Sequence, residues 1–222
     1  MARSLRPLAR AAASGLLGWS AWAVVAWLRY GHRRQTSLER PDPLDAFIPE
    51  PEVDEVHETR VRAPAPVTLQ AAKELDVQRS PLVWLIFNLR TLPSRLRGGS
   101  VRWESPGLVE WTLAIGWGVL ADGPGLYIAG AVTQPWKGEV EFRALSPEEF
   151  AGFDEPGYAK IVWTLEAEEL PGGESIARTR TRVSTTDATA RRRFRRYWAA
   201  MSPGILLIRY EMLRLLRGEA ER

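Results

Sequence analysis

Hydrophobic and polar residues alternate along much of the chain between residues 53 and 185, and this pattern predicts β-strands with one buried face. The alternating segments are residues 53–62, 113–121, 127–133, 140–144, 161–166 and 176–185. Turn sequences such as Asp122-Gly123-Pro124-Gly125 and Pro171-Gly172-Gly173 separate neighbouring segments. Short connections of this kind predict antiparallel hairpins.

Near the C-terminus the spacing of apolar residues changes from alternation to a helical repeat, and residues 186–217 are predicted to form a long amphipathic helix. One side carries an apolar stripe: Ala190, Phe194, Tyr197, Trp198 and Met201. The opposite side carries Arg192, Arg193, Arg195 and Arg196. We expect Ser202-Pro203-Gly204 to break or kink this helix. Shorter helices are predicted at residues 66–75, between Ser80 and Pro93, and at 147–150, where Ser146-Pro147-Glu148-Glu149 forms a capping box.

The order strand, two helices, several strands and a long terminal helix predicts an α+β fold, in which a curved antiparallel sheet grips the C-terminal helix. A sheet that bends around a helix often leaves a cavity between the two. The residues predicted to line that cavity are His57, Thr59, Trp117, Tyr127, Trp163, Thr179, Thr181, Phe194 and Trp198.

Each of these candidates also has an ordinary structural interpretation. His57 can act as an acid, a base or a hydrogen-bond donor to a ligand, or it can be a structural histidine. Thr179 and Thr181 can bind a polar ligand group, or they can simply pack in a strand, where threonine is favoured. The aromatic residues suit both a pocket wall and a core.

The N-terminus predicts a membrane segment. The 18 residues between Arg10 and Arg29 carry no charge, and as a helix they would span roughly 27 Å, close to the thickness of a bilayer's hydrocarbon. We therefore predict a single-pass membrane or signal anchor at residues 1–34. Signal cleavage near Ala21-Trp22-Ala23 with export is the leading alternative. A cytoplasmic chain with this helix on a partner or a membrane surface is another.

Residues 35–53 are rich in proline and acidic residues, which predicts a solvated, partly extended tether. Leu44, Phe47 and Ile48 are apolar exceptions that can dock on the following domain. The folded domain is predicted to cover residues 54–218.

Composition excludes several kinds of chemistry. The absence of cysteine excludes disulfides, thiolate metal sites and cysteine nucleophiles. His32 and His57 are the only histidines, and no carboxylate loop of the calcium-binding kind is present, so neither a metal nor a cofactor is predicted. The net charge of +3 is modest, so a nucleic-acid partner is not favoured. We expect Arg178, Arg180 and Arg182, on one strand face, to meet solvent or an acidic partner.

Four local sequences resemble a bacterial branch of the START-like (SRPBCC) superfamily. They are Val56 to Pro64, Gly130 to Trp136, Thr186-Asp187 followed by Phe194 to Trp198, and Ser202 to Gly204. The resemblance covers residues 54–217 and implies the helix-grip fold of polyketide cyclases, aromatase/cyclases and lipid-transfer domains, with a hydrophobic cavity between sheet and helix. The superfamily has no universal catalytic motif, so the resemblance implies no catalytic residue.

Three functional hypotheses follow from these patterns. The first is a membrane-tethered protein that binds a hydrophobic or lipid-like small molecule in its cavity. The second is an enzyme of the cyclase or dehydratase type that uses His57 as acid or base. The third is binding of anionic lipid or nucleic acid through the arginine-rich faces. The sequence favours non-enzymatic ligand binding and leaves the oligomeric state open.

Overall fold

The computed structural model describes residues 5–30, 42–86 and 107–222 of the chain. The helices are α1 (Leu5–Arg29), α2 (Ala65–Lys73), α3 (residues 81–86), α4 (Leu108–Ala114), α5 (Pro147–Ala151) and α6 (Ala188–Ala220). The strands are β1 (Val53–Val61), β2 (Gly118–Gly123), β3 (Leu126–Thr133), β4 (Phe142–Arg143), β5 (Ala159–Leu170) and β6 (Glu174–Thr185). Two 3₁₀ helices cover Pro43–Ala46 and Val77–Arg79.

The strands form one antiparallel sheet in the order β1-β6-β5-β3-β2, with β4 beside β3. Alternation decides which side chains face inward: along β1, Val53 and Val61 are buried, whereas Val56 and Glu58 are exposed. Helix α6 lies across the inner face and contacts β1, β5 and β6. The predicted α+β helix-grip architecture is therefore confirmed.

Two apolar clusters fill the inner face. The larger one joins α2, α4 and the C-terminal half of α6 to the sheet, and its centre includes Tyr127, Leu165 and Met212. The smaller one joins α1 and the N-terminal half of α6 to the ends of β1, β5 and β6, around Phe194 and Trp198. Burial of these apolar side chains is the main force that holds the helices on the sheet.

Helix α1 packs antiparallel against α6. The indole Nε1 of Trp22 donates a hydrogen bond to Ser202 Oγ at 3.0 Å, and Tyr30 meets the ring of Trp198 edge-on at 5.6 Å. Trp19 Nε1 donates to the carbonyl oxygen of Ala200 at 2.9 Å. The N–H groups of Trp19 and Trp22 thus both find an acceptor on α6.

The predicted membrane anchor is wrong. Among the described residues, none of the helices combines the length and the hydropathy that crossing a bilayer requires. The run between Arg10 and Arg29 contains no charge, but alanine, glycine, serine and tryptophan replace the leucine and isoleucine that would make it strongly apolar. Its tryptophans Trp19 and Trp22 bind α6 instead.

Residues 42–52 do not form the extended tether that their composition predicts. Leu44 and Ile48 are each only 1% exposed, and they pack on the outer face of the sheet with Ile128 and Phe150. Asp42 caps the 3₁₀ helix that begins at Pro43 by accepting a hydrogen bond from Leu44 N. Both faces of the sheet are therefore covered, the outer one by this segment and α5.

Two local predictions differ from the structure. Residues 113–117 precede the strand instead of beginning it, because α4 covers Leu108–Ala114 and β2 starts only at Gly118. Helix α6 continues through Pro203, although proline removes the hydrogen bond to the Ala199 carbonyl. The α1 tryptophans donate to Ala200 and Ser202 beside this point, so tertiary contacts support the helix where its own ladder is weakest.

Candidate ligand-binding site

A cavity of about 210 Å³ lies between the sheet and α6. Its walls come from α4, from the turn between α4 and β2, from β4 and β5, and from the side of α6 that carries Ile205, Ile208 and Met212. These three α6 residues follow the i, i+3, i+7 spacing of one helix face, and this spacing places them together on the sheet side. The cavity belongs to the space that the helix-grip pattern predicts.

Aromatic rings form most of the sheet side of this cavity. Trp117 lies 5.2 Å from the ring of Phe142 and 6.3 Å from that of Trp163, measured between centroids. Trp163 in turn contacts Tyr127 at 5.8 Å, and Trp111 lines the cavity from α4. Contacts at these distances fix the rings against one another, so the wall is preformed.

One charged side chain, Arg209, contributes to the cavity wall. It extends from the same face of α6 as Ile205 and Ile208. Its Nη1 donates to Thr179 Oγ1 at 2.6 Å, and its Nη2 donates to Thr181 Oγ1. Burial lowers the pKa of Arg209 to about 10, so the guanidinium still carries its charge at neutral pH.

The inward faces of β1 and β6 continue this polar region. His57 lies opposite Thr179 in the sheet register, and Glu55 lies opposite Thr181. We call Glu55, His57, Thr179, Thr181 and Arg209 the inner polar layer. The layer separates the two apolar clusters of the inner face.

Two atoms of the inner polar layer are buried without a hydrogen-bond partner, His57 Nε2 and Glu55 Oε1. Burial lowers the pKa of His57, and the positive charge of Arg209 lowers it further. Burial raises the pKa of Glu55, an effect that Arg29 on α1 opposes. Buried polar atoms that lack partners mark places where a ligand atom can bind.

The predicted cavity residues separate into three groups. Trp117 and Trp163 line the cavity. His57, Thr179 and Thr181 belong to the inner polar layer. The remaining four lie elsewhere: Thr59 near the end of β1, Tyr127 in the larger apolar cluster, and Phe194 and Trp198 in the cluster that includes α1. A ligand contact for any of the nine residues stays a prediction.

The strand pattern predicted that Tyr127 faces inward, but it did not predict the surroundings of the Tyr127 hydroxyl. Its hydroxyl is buried without a hydrogen-bond partner, and Lys73 Nζ lies 5.4 Å from its ring centroid. Burial, assisted by the charge of Asp122, raises the pKa of Tyr127 to about 12. The phenol therefore remains neutral at any physiological pH and can serve only as an uncharged donor or acceptor.

Sequence reasoning missed Arg209, although a signal was present. Ile205, Ile208 and Met212 form an apolar stripe with helical spacing, and Arg209 interrupts it on the same face. A charged residue within an apolar stripe is a candidate for a buried functional group. The wall residue Trp111 was missed because helix α4, which carries it, was not predicted. Ile115 lies in residues 113–121, which were interpreted as a strand, but it was not selected as a candidate.

The arginines of the outer β6 face meet acidic residues of the same chain. Arg178 pairs with Glu58, Arg180 with Asp54, and Arg182 with Asp45. On α6, Arg191 pairs with Glu52, and Arg195 donates to the Trp27 carbonyl. The predicted acidic partner of the β6 arginines is thus the protein itself, and these groups are not available to phosphates without breaking internal pairs.

A metal site was not predicted. Within residues 5–30, 42–86 and 107–222, no group of three histidine, aspartate or glutamate side chains is arranged to hold a metal ion.

No family model matches the chain, and no curated protein matches it. Solved structures with a similar chain path include the Zhui aromatase/cyclase from Streptomyces sp. R1128, with 16% identity, 77% of this chain and 94% of that chain covered, and a TM-score of 0.31. A hypothetical protein of Helicobacter pylori matches with 11% identity, coverage of 85% and 99%, and a TM-score of 0.34. Norcoclaurine synthase from Thalictrum flavum matches with 11% identity, coverage of 82% and 96%, and a TM-score of 0.26.

TM-scores of this size carry no argument about function. The assignment of the fold rests on the strand order, on the antiparallel register and on the long C-terminal helix across the inner face. These features are those of the α+β helix-grip fold that the sequence predicts.

Proposed function

We propose that this protein binds a hydrophobic small molecule in the cavity between its sheet and α6. The observation that carries the proposal is the preformed aromatic wall of Trp111, Trp117 and Trp163 around a space of about 210 Å³. Ligand sites are typically concave and mostly apolar, with a small number of polar groups that orient the ligand. Arg209 supplies such a polar group here.

The size of the cavity limits the ligand. Apolar cavities of about 150 Å³ hold a molecule of the size of benzene, so a space of about 210 Å³ suits a compact molecule of one or two rings, or a short aliphatic chain. Long lipids exceed this volume. Flat aromatic molecules fit the proposal best because they can stack on the indole rings.

Filling the cavity with a protein side chain tests this proposal. Ile208 lines the cavity, so Ile208→Trp is expected to occupy the ligand's space and to weaken binding of naphthalene-2-carboxamide at least about tenfold. Leu207 is the matched control because it is the neighbouring residue on α6 and is exposed. Leu207→Trp should bind like the wild type. Isothermal titration calorimetry on the full chain measures both affinities.

Native mass spectrometry and probe titration together can contradict ligand binding. Native mass spectrometry of the purified full chain would reveal a copurified small molecule. If neither this measurement nor titration with aromatic and aliphatic probes detects binding, the cavity is only a packing defect. Equal binding by both tryptophan variants would mean that the probe binds elsewhere.

An acid–base enzyme is the second candidate, and the environment of His57 favours it. His57 Nε2 is buried without a partner, and the lowered pKa keeps the imidazole neutral near pH 7, so it can accept a proton. A ketone whose α-carbon reaches His57 Nε2 would then exchange its α-protons. We expect the full chain to accelerate deuterium exchange at carbon 1 of 2-tetralone, followed by NMR.

His57→Gln should slow that exchange about 100-fold or more, because a positioned general base contributes at least this factor. Glu58 is the matched control, since it lies next in β1 on the exposed face. Glu58→Gln should leave the rate unchanged. Equal rates for His57→Gln and the wild type would exclude the catalytic role.

A further inference from the structure

Arg182 is fully buried and Arg209 is partly buried, but only Arg182 has carboxylates beside it. Arg182 is fully buried on the outer face of the sheet and pairs with three aspartate carboxylates. Arg209 lies on the inner face, and no carboxylate of residues 5–30, 42–86 or 107–222 is within ion-pair distance of it. Its partners there are the neutral hydroxyls of Thr179 and Thr181.

A buried guanidinium without a counter-charge is unfavourable, because it loses the hydration that the charge had in water. Two hydroxyl groups compensate for part of that loss. The lowered pKa of Arg209 reflects the remainder, since burial alone causes the shift and no anion opposes it. Glu55 lies opposite Thr181 in the sheet, but its carboxylate is not within ion-pair distance of Arg209, and its Oε1 has no hydrogen-bond partner.

Arg209 lines the cavity and has N–H donors that Thr179 and Thr181 do not use. A guanidinium has five N–H groups, and the contacts with Thr179 and Thr181 use two of them, which leaves three. Each threonine hydroxyl accepts from Arg209 and keeps its own proton as a further donor. The aromatic wall with Trp163 and Trp117 lies in the same cavity. The cavity therefore combines one guanidinium group with a mainly apolar, aromatic lining.

We propose that Arg209 is the counter-charge for a carboxylate of the bound molecule, so that the ligand is a compact hydrophobic acid. This inference rests on the proposed function. The planar fork of arginine matches the two oxygens of a carboxylate, and a pair of this kind is among the stronger hydrogen-bonded contacts in proteins. The apolar body of the ligand occupies the space beside Trp117 and Trp163.

A matched pair of ligands tests this without any variant. The 2-naphthoate ion and naphthalene-2-carboxamide have the same shape, but only the first is charged. We expect wild-type full chain to bind 2-naphthoate at least about tenfold more tightly, as measured by calorimetry, because a contact with a charged group adds more than a neutral one. Decanoate and decanamide form a second pair, which distinguishes aliphatic from aromatic acids.

Arg209→Met should abolish the preference for the acid and leave the affinity for the carboxamide within a factor of about three. Arg217 is the control, since it lies on α6 and is exposed. Arg217→Met should retain the preference. Arg209→Lys, which keeps the charge without the fork, should retain only part of it.

The results separate this inference from the proposed function. Equal binding of acid and amide by the wild type would overturn the carboxylate and leave hydrophobic binding intact. A preference that survives in Arg209→Met would assign the anion to another basic group and overturn the role of Arg209. Binding of no probe from either pair would contradict the proposed function and this inference together. If Arg209→Met does not fold, the wild-type comparison and Arg209→Lys still decide.

Discussion

Replacing Arg182 with methionine is expected to destabilise the full chain by about 3 kcal/mol, the loss typical of breaking a buried ion pair by removing one partner. The Arg182 side chain is 0% exposed. Its Nη1 donates to Asp45 at 2.7 Å and to the Ile48 carbonyl at 3.2 Å, and its Nη2 donates to Asp42 at 2.8 Å. Methionine fills part of the space but removes the guanidinium donors that bind Asp45 and the Ile48 carbonyl.

Arg180 reduces the loss of stability that we expect for Arg182→Met. It still pairs with Asp42 and Asp54 after the substitution, so the loss falls mainly on Asp45 and the Ile48 carbonyl. We expect residues 42–50 to detach more readily from the outer face. Urea unfolding should give the free-energy change, and limited proteolysis within residues 42–50 should become faster.

An exposed ion pair supplies the control for Arg182. Arg60 contacts Glu174 Oε2 through its Nε at 2.6 Å, but the Arg60 side chain is 68% exposed. Arg60→Met should therefore change stability by at most about 1 kcal/mol. Equal losses for the two variants would show that burial does not determine the strength of these pairs.

The Arg182 cluster also explains why the sequence could not predict which face of the sheet residues 42–52 cover, although it allowed Leu44, Phe47 and Ile48 to dock on the domain. The arginine face of β6 was predicted to meet solvent or an acidic partner, and the prolines and acidic residues of the segment were interpreted separately as a solvated tether. The two patterns complement each other across more than 130 residues. Local composition contains no information about a contact over that separation.

The same limit applies to α1. The uncharged run of α1 is long enough for a membrane helix. However, its tryptophan N–H groups need hydrogen-bond acceptors, and the sequence does not show where those acceptors lie. Trp22 needs an acceptor for its N–H, and Ser202 provides one from the other end of the chain. By contrast, features that depend on neighbouring residues were predicted well: the capping box of Ser146 and Glu149 and the glycine turn before Glu174 are both present.

Trp117 and Trp163 of the cavity wall were predicted from local sequence, whereas Arg209 was not. Strand alternation placed Trp163 on the inner side, because a period of two is a local property. Trp117 also lines the cavity, but it lies in the turn between α4 and β2 rather than in a strand. Arg209 required knowledge of which α6 face meets the sheet over its whole length. Once the stripe through Ile205, Ile208 and Met212 is recognised, the position of Arg209 follows from helical spacing alone.

Gly116→Ala is expected to destabilise the protein by about 3 kcal/mol and to deform the cavity. Gly116 has φ +102°, a region where an added Cβ is unfavourable by roughly 1–2 kcal/mol. The new methyl group would also collide with the Phe142 carbonyl oxygen and lie 3.1 Å from its carbon. Both atoms belong to the backbone of β4, so they cannot move aside as a flexible side chain would.

The position of Gly116 explains why the cavity responds. Trp117 N donates to the Thr112 carbonyl and Gly116 N to the Leu113 carbonyl, which is the Schellman motif that ends α4. This turn directs Trp117 toward Phe142, and both rings line the cavity. We therefore expect weaker binding of naphthalene-2-carboxamide, by at least about tenfold, in addition to the loss of stability.

Gly123 provides the matched control for Gly116. It ends β2, it does not have a positive φ, and an added Cβ there would meet no atom within 4 Å. Gly123→Ala should change the free energy of unfolding by no more than about 0.5 kcal/mol and should bind the probe normally. Wild-type stability and binding in Gly116→Ala would mean that α4 does not end in this motif, and the aromatic wall would then lack the turn that positions it.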